Sequence, residues 1–389
     1  MAKAHRLPAK ENRPAVLRRD DKVDIPFLFL VLLLLAVGLI MLYSASFAQS
    51  EYDTGYTDSG RYLRKQAACA VIGLVAMYFF SRIPAAVWYN LAWPLYGISI
   101  LLLLSVLVMG QEVNGARRWI NIAGIQFQPS EVAKFAQILL FARLTSHFGP
   151  DAETFRYGVL GFGAALMGIL VPLALEKHLS AILLMGMVAV VMMFVAGTRM
   201  KWLLAGAGAA VVFVIIYISV MGYAGDRVTA WLHPEQDPGD TGYQILQSLY
   251  AIGSGGLFGL GWGKSRQKYL YLPFQYNDYI FAICCEELGL VGAVGIILLF
   301  MLLILRGYWI ALRAQDRFST VLTAGLVTLI AVQTVLNLCV VTNLLPSTGI
   351  ALPFFSYGGT ALAMNLGEMG IVLSISRQRN KRKIQEVTL

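Results

Sequence analysis

Apolar residues run along this chain in blocks of roughly twenty, the length a helix needs to cross about 30 Å of hydrocarbon. Residues 25–42 form the purest of these blocks and hold no charged side chain. Short polar segments separate the blocks, and polar residues almost never alternate with apolar ones inside them. In a bilayer every backbone N–H and C=O must be satisfied within the protein, so only helices or a closed barrel span it. Continuous apolar runs without period-two alternation select helices. Windows of about 19 residues predict about ten spans, near 26–48, 66–82, 86–109, 129–146, 158–175, 178–197, 202–221, 278–305, 319–342 and 357–376. The expected fold class is an all-α polytopic membrane protein with a long external loop, 222–277, between helices 7 and 8. The first run precedes small residues (Ser44, Ala45, Ser46, Ala48) and so has the outline of a signal peptide. Its apolar core exceeds the usual 7–15 or so residues and its leader is long and basic, so we read it as an uncleaved helix.

Composition agrees. With 58% hydrophobic and 14% charged residues among 389, and a mean hydropathy of +0.66, the chain is too apolar for a soluble domain. Its net charge of +9 fits either a nucleic-acid partner or a topology signal, and its distribution decides for topology. If both termini are cytoplasmic, the inside segments hold about twenty of the 31 Lys and Arg, as the positive-inside rule demands. A basic N-terminal segment (1–25) and a basic tail (377–389) thus flank the transmembrane domain (26–376), with anionic lipid as their contact and no nucleic acid. The four cysteines all lie in apolar runs, with no zinc spacing, and read as small packing residues.

This orientation leaves 49–65, 110–128 and 222–277 outside, together with the turn-rich loop 343–360, which contains Ser356. Basic residues persist there: Arg117 and Arg118 beside Trp119, then Lys264, Arg266 and Lys268. Such residues bind phosphate or lipid headgroups. Pro129 and Glu131 mark a helix start. Glu131 and Lys134 share one face of that helix, as a structural ion pair or as a pair lining a cavity. Asp278 stands where the 222–277 loop meets the eighth span, and is either a helix cap or a general base. Glu286 and Glu287 lie about 12–14 Å farther along the helix, too far to serve the same reacting atom. They read as buried hydrogen-bonding or ion-pair groups. Gly263-Lys264-Ser265 mimics the end of a P-loop, but Phe258 stands where that motif needs glycine, so no nucleotide is expected.

Four segments together resemble the SEDS family (shape, elongation, division and sporulation) of peptidoglycan polymerases: 114–136, 242–273, 277–292 and 345–362, in family order and spacing. The stretch 348–377 is more similar to the division branch (FtsW, with sporulation SpoVE) than to the elongation branch (RodA). The resemblance implies a glycosyltransferase acting on lipid II, on the outer face of the cytoplasmic membrane. It makes Asp278 the family's essential aspartate, Glu131 and Lys134 the acid and lysine of its P-S-E-x-x-K motif, and Arg117 and Arg118 its basic pair, as pyrophosphate ligands. Lys264, Arg266, Lys268 and Ser356 would join them in holding substrate. A divalent cation, Mg2+ or Mn2+, is a candidate to share the charge. A class B penicillin-binding protein (a transpeptidase) and other divisome proteins are the implied partners. Two positions depart from the family pattern: Phe274 stands where an acid is usual near Asp278, and His178 where an aspartate is usual. A lipid II flippase and a non-catalytic division scaffold are the competing readings.

Overall fold

The computed structural model describes residues 22–113, 116–122, 125–208, 212, 222–236 and 241–377. The basic ends, and most of the span expected at 202–221, lie outside these. The described residues form an all-α, polytopic membrane fold. Six helices are long and apolar enough to cross a membrane: α1 (Ile25–Asp53), α2 (Arg61–Phe80), α3 (Ala85–Met109), Arg156–Leu175, α9 (Ile280–Leu312) and α10 (Arg317–Val341). Arg156–Leu175 opens with a wider π-helical turn and continues as α5 (Phe162–Leu175). Three further expected spans are also helical: α4 (Pro129–Phe148), α6 (Leu179–Val195) and α11 (Gly359–Ser376). Their shorter length or internal charges set them apart from the six.

Local chemistry fixes the ends of these helices. The Asp24 carboxylate accepts the Phe27 N–H at 3.0 Å, with Pro26 at the first turn of α1. Asp316 caps α10 through Ser319 N–H at 2.8 Å. Helix α10 is the centre of the bundle, with most of its surface covered by α4, α6 and α9. Helices α2 and α11 pack closest, because a Cβ on Gly370 would lie 2.5 Å from Met77 O and one on Gly73 2.7 Å from Leu366 Cδ1. Small residues let backbones approach where lipid supplies no hydrophobic drive between helices. Large apolar side chains such as Phe29, Leu101 and Val291 remain on the outer surface, as a lipid-facing bundle requires.

Two of the expected connecting loops are structured. The described residues of segment 110–128 form a three-stranded antiparallel sheet: β1 (Gln111–Val113), β2 (Ala116–Ile122) and β3 (Ile125–Phe127). The β-branched and aromatic residues of β2 favour it. The long loop contains two helices, α7 (Gly222–Leu232) and α8 (Thr241–Ser254).

Beyond α8 the glycine-rich chain folds back onto α9 at a break in that helix. Gly289 takes φ 67°, ψ −169°, a conformation essentially confined to glycine. The break releases the Glu286 and Glu287 carbonyls, which accept Leu260 N–H at 2.9 Å and Gly261 N–H at 3.0 Å. It also frees Leu290 and Val291 N–H, which donate to Gly256 O and Leu257 O at 2.9 and 3.1 Å. A broken helix is tolerated at membrane depth when protein satisfies its backbone. A Cβ on Gly289 would meet Gly259 N at 2.3 Å. Gly289→Ala is therefore expected to lose about 1–3 kcal/mol to backbone strain alone, before any steric cost. Thermal unfolding in detergent would read this as a lower midpoint, and an unchanged midpoint would contradict it.

The same break carries a buried ion-pair network. Lys268 Nζ lies 3.1 Å from Glu287 Oε1 with both side chains almost fully enclosed, and donates to Gly263 O at 2.6 Å and Ser44 Oγ at 3.2 Å. Ser44 in turn donates to Glu287. Glu286 collects Ser265 Oγ, Arg266 N–H and Gln267 N–H. These carboxylates tie the returning loop to α1 and α9.

Candidate active site

Asp278 sits two residues before α9, in a chain segment whose carbonyls are gripped one after another. The Tyr276 carbonyl accepts Tyr357 N–H at 2.9 Å. The Asn277 carbonyl accepts Ser356 Oγ at 2.6 Å. The Asp278 carbonyl accepts Asn337 Nδ2 at 2.7 Å. The gripping groups are themselves held: Asn337 also donates to Ile350 O, Ser356 Oγ accepts Leu352 N–H, and Gln66 bonds both Ser356 O and Gly358 N–H. None of these bonds uses the Asp278 carboxylate. The side chain is thus positioned by its backbone and left available for chemistry, and it is half-buried.

Two neighbours shape that carboxylate. Gly349 (φ 68°) brings the 343–358 loop so near that a Cβ there would be 3.8 Å from Asp278 Oδ2. Arg227, on α7, donates to Ser347 O at 2.9 Å and attracts the Asp278 charge. Burial pushes the Asp278 carboxyl up to about 6, against the opposing pull of its own backbone N–H and of Arg227. Desolvation disfavours the charged form, and these two interactions limit the rise.

The Ser180 hydroxyl donates to Thr348 O and joins this loop to the start of α6. Here the structure gathers Glu176 and His178, with Arg118 donating to Lys177 O at 2.6 Å. Burial raises Glu176 to about 8, partly offset by Arg118. Burial, then the charges of Arg118 and Lys134, lowers His178 to about 3. At neutral pH both are therefore mostly uncharged, and Glu176 does not cancel the Arg118 charge. Lys134 pairs with Glu131 at 2.7 Å, both buried. Glu368, from α11, faces this pair. Glu176 Oε1, His178 Nδ1 and Glu368 Oε2 are buried with no hydrogen-bond partner among the described residues, so this cluster has polar capacity to spare.

The expected site residues divide accordingly. Glu131, Lys134 and Arg118 gather around Glu176, His178 and Glu368, whereas Asp278 lies with Arg227 and Gly349. Arg117 and Arg118 are separated: neighbours on a strand point to opposite faces. Arg118 turns in toward Lys177, whereas Arg117 is exposed and donates to Leu107 O at 3.3 Å. Lys264 and Arg266 line an open surface depression with Tyr269 and Tyr271, away from Asp278. Lys268 is enclosed against Glu287, and Ser356 is buried as a backbone clamp, so neither presents its polar atom to an external ligand. Phe274 is exposed with φ 55°. Among the described residues no three His, Cys, Asp or Glu side chains form a metal-ligand set.

Gln66, Asn337 and Glu368 escaped the sequence reading, although polar residues within apolar runs are the available signal. Arg227 and Glu176, in polar segments, carry no such signal.

Residues 25–381 match the family model for FtsW, RodA and SpoVE, described as cell cycle protein. Among curated relatives, a probable peptidoglycan glycosyltransferase FtsW of Trichlorobacter lovleyi is 38% identical, over 92% of this chain and 94% of that one. Stage V sporulation protein E of Bacillus subtilis is 39% identical over 91% and 97%. Peptidoglycan glycosyltransferase MrdB of Escherichia coli is 38% identical over 92% and 95%. Among solved structures, a chain from a peptidoglycan synthase complex that coordinates polymerisation with crosslinking superposes with a TM-score of 0.78 at 30% identity, covering 93% of this chain and 100% of that one. The rod shape determining protein RodA of Thermus thermophilus gives a TM-score of 0.69 at 29% identity, over 93% and 99%.

Proposed function

Because this chain belongs to the FtsW/RodA/SpoVE family of multi-pass membrane proteins, we propose that it is a peptidoglycan glycosyltransferase that polymerises lipid II, with Asp278 as its general base. The observation that carries the reading is a half-buried carboxylate, fixed through its backbone and flanked by Arg227.

Lipid II enters as acceptor with its GlcNAc 4-hydroxyl at Asp278. The hydroxyl oxygen attacks the anomeric carbon of the donor strand, and its proton passes to Asp278. The bond from that carbon to the lipid pyrophosphate breaks, and the pyrophosphate leaves with the electron pair. One in-line displacement converts an α-linked donor into a β-1,4 bond, so a single base suffices. Arg227, beside Asp278, offers preorganised positive charge to the leaving group, and Arg118 and Lys134 are the further cations assigned this role. The protonated Glu176 supports this by leaving the Arg118 charge in force. The described residues around Asp278 do not make a protein ligand set for a divalent cation, and Phe274 adds no acid.

The loop-rich end that carries Asp278 faces outward in this reading, with both termini cytoplasmic, as the distribution of Lys and Arg supports. Division is the setting we infer, from the 348–377 segment and the FtsW-named relatives. A class B penicillin-binding protein is the inferred partner, in keeping with the synthase complex to which the fold is similar.

Purified protein given lipid II, with and without a candidate transpeptidase partner, should yield glycan strands. Lipid movement without polymer would instead favour a flippase. The rate should also fall about tenfold per pH unit below roughly pH 6, because only the deprotonated carboxylate accepts the proton, and should level off above it. Arg227→Gln removes an attraction that favours the carboxylate, so it should move this acid limb to higher pH. A limb left in place would mean that Arg227 does not act on Asp278.

A further inference from the structure

Three tyrosines from distant parts of the chain meet beside Asp278. Tyr62 comes from the first turn of α2, Tyr276 lies two residues before Asp278, and Tyr357 lies just ahead of α11. The ring centroids of Tyr62 are 4.6 Å from those of Tyr276 and 5.0 Å from those of Tyr357, and Tyr276 and Tyr357 are 5.9 Å apart. The Tyr357 N–H bond to the Tyr276 carbonyl locks two of them together. Tyr62 donates its hydroxyl to Asp53 Oδ2 at 2.5 Å, at the end of α1, and lies 3.5 Å from the Tyr276 hydroxyl. All three rings are half-buried, and Asp53 is exposed.

Phenylalanine would pack these segments as well. Instead the cluster presents aromatic surface with a rim of hydroxyls and a carboxylate. That combination suits a sugar ring, whose C–H face rests on an aromatic ring while its equatorial hydroxyls meet polar groups. Consecutive Cα atoms are about 3.8 Å apart, so Tyr276 lies within about 8 Å of Asp278 along the backbone. The cluster is thus tied through the Tyr276 backbone to the segment that carries the proposed base.

We propose that Tyr62, Tyr276 and Tyr357 form a saccharide subsite that holds an amino-sugar ring of the glycan next to Asp278. The proposal rests on the polymerase reading for its ligand. The ring could belong to the growing strand or to the lipid-linked disaccharide, which share the same pyranose chemistry.

The direct test is saturation-transfer NMR of soluble GlcNAc–MurNAc oligosaccharides with the protein in nanodiscs, using Asp278→Asn protein so that no turnover intervenes. Saturation should reach the sugar ring protons, fall partly in Tyr62→Phe, which keeps the ring and loses the hydroxyl, and fall at least several-fold in Tyr62→Leu and Tyr357→Leu. No transfer to the protein with its tyrosines intact, a measurement independent of how the variants fold, would overturn the proposal. So would equal transfer to folded Tyr62→Leu. In polymerisation assays of Tyr62→Leu, shorter strands at unchanged KM for lipid II would place the growing strand there, and a raised KM at unchanged length the lipid-linked acceptor. Unchanged length and KM would overturn the subsite. Oligosaccharide binding by a protein that makes no polymer would retain the subsite and defeat the polymerase reading instead.

Discussion

Asp278→Asn is expected to lower the rate of lipid II polymerisation by about 10²–10⁴-fold, the usual worth of a positioned general base. Asparagine keeps the size and outline of the side chain but cannot take up the proton of the attacking hydroxyl. The fold should be indifferent to the change. The three successive bonds that hold this segment engage the carbonyls of Tyr276, Asn277 and Asp278, not the carboxylate. The thermal midpoint should therefore stay at or slightly above that of the parent, because a carboxyl raised to about 6 by burial gains from becoming neutral. KM for lipid II should change little compared with the rate, since a base acts in the transition state. A variant that polymerised at near the parent rate would remove Asp278 from the mechanism.

Glu287→Ala should be the most damaging change for stability, at about 3–5 kcal/mol, because it leaves the buried Lys268 ammonium without its counter-charge. That ammonium is 3.1 Å from Glu287 and nearly inaccessible to water, so solvent cannot replace the lost carboxylate. The Ser44 hydroxyl would lose its acceptor as well. Thermal unfolding in nanodiscs, together with the yield of folded protein, measures the loss. The double variant Glu287→Met with Lys268→Met supplies the control: removing both charges should recover much of the stability, since well-packed apolar pairs often match buried ion pairs. If Glu287→Ala alone unfolded like the parent, the network would not be what holds the 255–268 chain against α9.

The two variants separate functions that lie close together in the sequence. Asp278 and Glu287 are nine positions apart, yet one stands beside Arg227 on a clamped loop and the other fastens the returning chain from within the helix. Helix geometry alone parts them, since side chains about 12–14 Å apart cannot share a reacting atom. Gly289 decides what the second acid does. Its glycine-only conformation opens α9 and lets the returning chain bond into the gap.

Much of this protein was legible before any coordinate. Solvent partition is a local property, so a window of about twenty residues reports whether a segment belongs in lipid. Nine of the expected spans coincide with helices in the described residues. The helix start at Pro129 follows from an equally local rule. Asp278 stood out because it lies where loop composition gives way to an apolar run. Other features depended on partners far away in the chain. Gln66 bonds Ser356 across 290 positions, and Ser356 bonds Asn277 across 79. No window contains both partners, and composition does not register their meeting. The sheet splits Arg117 from Arg118 because strand geometry, not charge, sets where each side chain points. Lys268 is basic in sequence but internal in the fold, since Glu287 and Ser44 come to it from α9 and α1. Sequence alone thus sets which of these segments belong in lipid and singles out Asp278 as the proposed base, because both signals are local. Tertiary packing alone decided which groups surround that acid, because those contacts join segments that only the folded bundle brings together.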